Sequence, residues 1–199
     1  MRGLIPAPWT SIPPPPSAES ILGGNLLGGS VCEGCLGAGT TQAPLVLFGD
    51  ASGGRDTHDP RLRRVGLAVA HLHCYDPPTL GPHIMGPLPG ASQSVPRGEL
   101  LALLWALRYS VGVLIYVTDC SEVARGWYAE LFRRPEGPQA DLWRMVGQLL
   151  LDQARHPTCI VIMQVPSHLS AREFIARGIP SWLVVGNACV DALTGESAA

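Results

Sequence analysis

Between positions 45 and 193 the chain alternates short, continuously apolar runs with longer stretches of helical period. Leu45-Val46-Leu47-Phe48 is the first such run; it ends in Asp50-Ala51-Ser52-Gly53-Gly54 and reads as a buried strand entering a tight turn. Val65 to Leu72 predicts a second strand. The prolines from Pro77 to Pro89 then break the pattern, leaving room for a short third strand near His83 to Met85. Arg97 to Tyr109 is filled with strong helix formers and has Pro96 at its start, the position where a missing N–H costs least. Val113 to Val117 is apolar at every position, as expected of a parallel strand covered on both faces.

Asp119 opens a predicted helix through Glu130. From Gln139 to Arg155, Leu142, Met145, Val146, Leu149 and Leu150 fall on one face of a second helix. Cys159 to Met163 is another buried strand, leaving through Val165-Pro166-Ser167-His168, and Asn187 to Leu193 reads as a short last helix. Adjacent strands first and αβ crossovers afterwards predict an α/β fold of the mixed-sheet kind, with five strands and helices on both faces.

Residues 1–44 carry no such order: they are Pro-rich at Pro13 to Pro16 and Gly-rich at Gly23-Gly24 and Gly28-Gly29, and predict a tail or linker ahead of a domain spanning 45–199. Cys32-Glu33-Gly34-Cys35 within it is half of a zinc-ribbon pattern without a second half, and the six cysteines of the chain suggest reduced thiols rather than a disulfide framework. No apolar run approaches a membrane span and the N-terminus lacks a signal-peptide pattern, so the expected setting is intracellular. The formal net charge of −2 is unusual for a nucleic-acid binder. All 14 basic residues are nevertheless arginine, and some cluster: Arg61, Arg63 and Arg64; Arg133 and Arg134; Arg172 and Arg177.

The candidate chemistry is acidic. Asp50 and Asp119 each follow an apolar strand, where ligand sites of open α/β sheets gather; Glu99 sits in the first turn of one helix and Asp191 in the last helix. If the four converge, their repulsion calls for divalent cations, Mg²⁺ or Mn²⁺, and two such ions suit hydrolysis of a phosphodiester. Each acid also has a structural alternative. Asp119 with Glu122 imitates a capping box, Glu99 complements a helix N-terminus, Asp50 suits a turn and Asp191 suits a surface.

Five segments in order resemble the ribonuclease H family, particularly its retroelement members: Asp50-Ala51-Ser52, Arg97-Gly98-Glu99-Leu100, Tyr116-Val117-Thr118-Asp119, Val165-Pro166-Ser167-His168, and Gly186-Asn187 followed by Asp191. The resemblance implies a ribonuclease H-like fold and cleavage of the RNA strand of RNA/DNA hybrids. It implies that Asp50, Glu99, Asp119 and Asp191 hold two metal ions and that His168 assists proton transfer or product release. Ser52, Gly53, Arg97 and Asn187 are the expected substrate contacts, with Glu99 also placed to accept the ribose 2′-hydroxyl that separates RNA from DNA. A reverse transcriptase domain is an expected partner, and no membrane is.

Several positions depart from the family's pattern. Val95, Pro96 and Ser121 stand where the family often has polar amides, no basic protrusion is visible, and Leu169 to Gly186 is longer than in compact members. That stretch is expected to form a lid or to pack Trp182-Leu183-Val184-Val185 on the core. The alternative function is a catalytically silent ribonuclease H-fold module, a nucleic-acid-binding or scaffold domain of a retroelement-derived protein. A proofreading exonuclease would show Asp-x-Glu where Asp50-Ala51-Ser52 stands, and an integrase would close its set with Glu in place of Asp191.

Overall fold

The computed structural model describes residues 37–54, 63–75, 78–167 and 171–198. Its elements are β1 (Gly37–Gly39), β2 (Leu45–Ser52), β3 (Gly66–Tyr75), β4 (Pro78–Pro87), α1 (Val95–Arg108), β5 (Ser110–Gly112), β6 (Leu114–Thr118), α2 (Ser121–Tyr128), α3 (Ala140–Asp152), a 3₁₀ turn (Pro157–Cys159), β7 (Ile160–Gln164), α4 (Ala171–Ala176) and α5 (Ser181–Ser197). Five strands form one sheet in the order β4-β3-β2-β6-β7. The pairs β4–β3 and β3–β2 are antiparallel, while β2–β6 and β6–β7 are parallel, so the mixed sheet read from the sequence is present.

Successive side chains of a strand point to opposite faces, and β2 shows what that requires here. Leu45 and Leu47 join the core built with α1, α2 and α3, to which Leu101, Leu104, Trp127, Leu142 and Val146 contribute. Phe48 joins a second core with Val117, Val165, Leu183, Val190 and Leu193, the last three from α5. Both faces are therefore dry, which accounts for apolar runs without alternation. Helix α1 packs between the sheet and α3 and is buried nearly all round, as its almost unbroken apolar sequence demands.

Three sequence expectations change. The third strand is far longer than His83 to Met85: β4 runs for 10 residues and includes Pro78, Pro82 and Pro87. It lies at the sheet edge, where a missing N–H removes no ladder bond on the open side. The last helix is also longer, 17 residues instead of the short segment from Asn187 to Leu193. Its first turn contains the apolar stretch after Ser181, and Trp182 meets Phe48 edge-to-face at 6.1 Å between centroids. The stretch after Leu169 thus packs on the core: α4 ends at Ala176, Gly178 two residues on turns the chain with a positive φ of 65°, and Ile179 and Trp182 lie against the second core. Finally, β1 falls ahead of the boundary expected at Leu45 and pairs in parallel with β5. Cys32, Cys35 and Arg61 lie outside the described residues.

Candidate active site

Asp50 is placed by β2, whose backbone pairs it with Ala68 of β3. By strand alternation its side chain shares the α5 side with Phe48, and Ser52 follows on the same side. Asp119 follows β6 directly. The N-cap of α2 is Cys120, whose N–H is satisfied by Thr118 Oγ1 at 3.1 Å, so Asp119 is not the capping residue its spacing to Glu122 imitates. Glu99 enters from α1, and its Oε1 accepts the backbone N–H of Ala51 at 2.9 Å. That bond stitches helix to strand beside Asp50.

One carboxylate oxygen from each of Asp50, Glu99 and Asp119 lies within 4.8 Å of the others. Asp50 and Glu99 are only 7% and 3% exposed, which puts the cluster's inner half out of water. Asp191 stands outside this tight trio, exposed on α5, yet near enough to act on Asp50 electrostatically. Thr194 links them: its hydroxyl donates to the Asp191 carbonyl at 2.8 Å and lies 3.4 Å from Asp50 Oδ2.

Burial pushes the Asp50 carboxyl up to about 6, a hydrogen bond with Glu99 lowers it somewhat, and the charges of Asp119 and Asp191 raise it further. Burial likewise raises Glu99 well above the usual carboxylate range, with Asp50 adding to the effect. Burial and mutual repulsion thus disfavour the anionic forms of both acids, and a bound cation would offset that cost. Clustered, desolvated carboxylates are hard oxygen donors, and they fit a divalent Mg²⁺ or Mn²⁺ ion.

A linked dependence on pH follows. Because the folded pKa of Asp50 is raised, its contribution to stability is fully present below 3.8 and is lost as pH rises through about 6; Glu99 acts in the same direction. A divalent ion held by these acids would relieve this loss. The rise in melting temperature caused by millimolar Mg²⁺ is therefore expected to be small at pH 5 and to grow through pH 7.5, which differential scanning fluorimetry across that range would check; an increment independent of pH would contradict it.

The remaining predicted residues are distributed as follows. Ser52 is half-buried at the end of β2 and Gly53 is buried next to it, both within the chain segment that carries Asp50. Asn187 lies one helical turn before Asp191, so the two share a face of α5, and its Oδ1 is buried without a hydrogen-bond partner. Arg97 has a partner inside the protein: both terminal nitrogens bond the carboxylate of Asp141, clamping the start of α1 to the start of α3. His168 lies outside the described residues. Glu99, with one oxygen on Ala51 N–H and the other 3.4 Å from Thr118 Oγ1, is poorly exposed to any ribose. Sequence reasoning missed Thr118 and Thr194, whose hydroxyls touch the acids; only their distances of one and three residues from Asp119 and Asp191 marked them.

Gly98, between Arg97 and Glu99, has a packing role. A β-carbon there would lie 2.7 Å from the Ala51 β-carbon and 2.8 Å from Val65 Cγ1, closer than such atoms approach. Gly98→Ala gains up to about 1 kcal/mol of helix propensity but forces α1 off the sheet, an overpacking cost of about 1–3 kcal/mol. The steric term wins. Urea unfolding is expected to show a net loss, with the Glu99-to-Ala51 bond strained as α1 retreats.

No protein-family model matches the chain, and no curated protein sequence matches it. Solved structures do. The chain aligns with the ribonuclease H domain of PFV in solution at 17% identity and a TM-score of 0.54, covering 77% of this chain and 93% of that one. A foamy viral protease-reverse transcriptase structure in complex with double-stranded DNA aligns at 20% identity and 0.53, with 77% and 93% covered. LC11 ribonuclease H1, solved with an RNA/DNA hybrid, aligns at 12% and 0.52, with 77% and 96% covered. Against the prototype foamy virus protease-reverse transcriptase, at 18% identity and 0.51, 77% of this chain spans 20% of that chain.

Proposed function

The chain has a ribonuclease H-like fold, and we propose that it is a metal-dependent nuclease that hydrolyses the RNA strand of RNA/DNA hybrids. The observation that supports this most is the convergence of Asp50, Glu99 and Asp119 from three elements at the carboxyl ends of β2 and β6. These three, with Asp191 closing the set from α5, would hold two ions, Mg²⁺ or Mn²⁺. Bound there, the ions supply the positive charge that activates water and stabilises the leaving oxygen in phosphodiester hydrolysis.

The protein's own residues do the positioning. Glu99 is locked by Ala51 N–H and keeps its carboxylate at the floor of the site. Asp50 feels the charge of the solvent-facing Asp191, and Thr194, bonded to the main-chain carbonyl of Asp191, reaches to 3.4 Å from Asp50 Oδ2. Ser52 and the backbone of Gly53, adjoining Asp50, are the groups proposed to meet a ribose hydroxyl, and Asn187, one turn before Asp191 on α5, is the further proposed contact, its amide oxygen buried and unpartnered in the free protein. His168 follows β7 in the chain and takes the proton-transfer or product-release role. Arg97 reaches a phosphate only by giving up Asp141.

The RNA/DNA hybrid is the proposed substrate, and a reverse transcriptase domain is the proposed partner, in line with the protease-reverse transcriptase chains of which this fold forms a part. No helix among the described residues is long and apolar enough to cross a membrane. The test is cleavage of a hybrid labelled on its RNA strand by the full chain. RNA cut in Mg²⁺ or Mn²⁺, uncut in chelator and uncut when single-stranded supports the reading. A hybrid that is bound and left intact in both metals would overturn it in favour of a silent binding module.

A further inference from the structure

Tyr116 of β6 is the largest fully buried side chain among the described residues. Strand pairing sets it opposite Leu47 of β2, but its ring does not stay level with that residue. A β-carbon on Gly49, two residues further along β2, would lie 2.5 Å from Tyr116 Cζ and 2.6 Å from Cε2, with Oη nearer still. The side chain therefore leans toward the carboxyl ends of the parallel strands β2 and β6, where the acids stand. Leu47, Gly49 and Ala51 share the α1 face of β2, and Tyr116 and Thr118 share that of β6. Glu99 reaches this face from α1, bonded to Ala51 N–H at 2.9 Å and 3.4 Å from Thr118 Oγ1. The phenol thus points into the floor of the site on the side of Glu99.

Two features of this arrangement oppose stability. A glycine inside a central strand has no side chain to pack and more conformational freedom to lose on folding. Tyr116 Oη is buried and has no hydrogen-bond partner among the described residues, an unfavourable state for a hydroxyl withdrawn from water. Phenylalanine would fill the same space without that cost. An unmade bond in so dry a place calls for an acceptor that comes within reach in another state of the molecule.

The acids beside it are such acceptors. Burial pushes the phenol well above its usual pKa, and Glu99 adds to this more than Asp50, Cys120 or Asp119 does, so the group keeps its proton and can donate it in a hydrogen bond. A carboxylate offers about four lone-pair sites, and Glu99 Oε2 meets Thr118 only at 3.4 Å, which leaves capacity for a further donor.

We propose that Tyr116 is a positioning residue of the acid cluster, its hydroxyl donating to the Glu99 carboxylate when that carboxylate holds a divalent ion. The bond orients the carboxylate and tightens its grip on the ion, and Gly49 supplies the space that lets the ring reach it. This inference rests on the metal-holding reading of the four acids, yet it can fail while that reading stands.

Mn²⁺ titration of the full chain, followed by electron paramagnetic resonance, tests it on wild type, Tyr116→Phe and Tyr128→Phe. Tyr116→Phe keeps the ring, removes only the hydroxyl, and is expected to weaken Mn²⁺ binding by about tenfold or more. In chelator its melting temperature is expected to equal or exceed that of wild type, because the metal-free protein loses no hydrogen bond. A hydroxyl with a merely structural role would lower the melting temperature and leave Mn²⁺ affinity alone. Tyr128→Phe is the control: its hydroxyl already donates to the Ile162 carbonyl at 2.7 Å, so its loss should cost stability and leave Mn²⁺ binding unchanged. A third readout locates the bond. With carbon-13 at Cζ of the four tyrosines, the signal missing from Tyr116→Phe is expected to shift in wild type when Mg²⁺ is added. Wild-type Mn²⁺ affinity in Tyr116→Phe, equal weakening in Tyr128→Phe, or a Tyr116 signal unmoved by Mg²⁺ would each overturn the proposal and leave the metal site standing. A wild type that binds no Mn²⁺ would remove the metal site itself, and the proposal with it.

Discussion

Asp50→Asn is expected to abolish metal-dependent cleavage while raising the melting temperature of the metal-free protein. Both effects have one cause. Asp50 is buried against Glu99 and feels Asp119 and Asp191, so at neutral pH the folded state holds a carboxylate whose pKa lies near 6 instead of 3.8. Two pKa units correspond to about 3 kcal/mol, and an amide that keeps some of the hydrogen bonding should recover about 1–3 kcal/mol of it. For a chain of this size that is a gain of about 2–10 °C. The same amide is a poor ligand for a hard cation. Loss of a shared ligand removes several kcal/mol of transition-state charge stabilisation, so turnover should fall by about 10³-fold or more. Thermal unfolding and single-turnover cleavage on one preparation would check the pair. A residue needed only for folding would lower both quantities together.

Gly66→Ala is expected to be the most damaging small substitution, costing about 2–4 kcal/mol and about 5–15 °C of melting temperature. A β-carbon on Gly66 would sit 2.3 Å from the Thr194 carbonyl oxygen, 2.4 Å from Ser197 Oγ and 2.6 Å from the Ala198 amide nitrogen. Two of these are backbone atoms, which cannot swing aside as a side chain can. The end of α5 must lift from the sheet, and Thr194 goes with it, together with its contacts to Asp50 and Asp191. Cleavage and affinity for metal should therefore fall along with stability. Gly195→Ala supplies the control: it lies on the same helix, a β-carbon there meets nothing within 4 Å, and helix propensity predicts a neutral to slightly stabilising change of up to about 1 kcal/mol. Chemical denaturation of the two variants would show whether contact with the sheet, and not glycine itself, decides the outcome.

What could be read from the chain alone tracks how locally each feature is encoded. The runs Leu45 to Phe48 and Val113 to Val117 announced two-sided burial because a strand with both faces dry has no polar alternation to hide. Helix α3 announced itself through its spacing, having one face on the core and one in water. The acids were visible because each stands directly after an apolar run or at a helix start. Less was legible where a long-range neighbour sets the structure. The prolines of β4 argue against a strand until its edge position is known, and the unbroken apolar stretch Trp182 to Val185 hides the one face that α5 buries, Leu183, Gly186, Val190 and Leu193. Thr118 and Thr194 carry no signature of their own, since a hydroxyl becomes part of a site only when the fold brings a carboxylate within reach.

The role given to Arg97 shows the same limit in reverse. As part of the segment Arg97-Gly98-Glu99-Leu100 it is expected to touch substrate, but its position on α1 brings Asp141 of α3 opposite, and a bidentate pair results. Helical residues two apart point in different directions, so closeness in the chain to Glu99 says little about facing the same space.

The central claim is that Asp50, Glu99, Asp119 and Asp191 form a metal-holding site. Anomalous diffraction from crystals of the protein soaked in Mn²⁺ tests it most directly. Two peaks about 3.5–4 Å apart, bridged by the Asp50 carboxylate, are the predicted result. An empty cluster at saturating Mn²⁺, or manganese bound only elsewhere on the molecule, would contradict it.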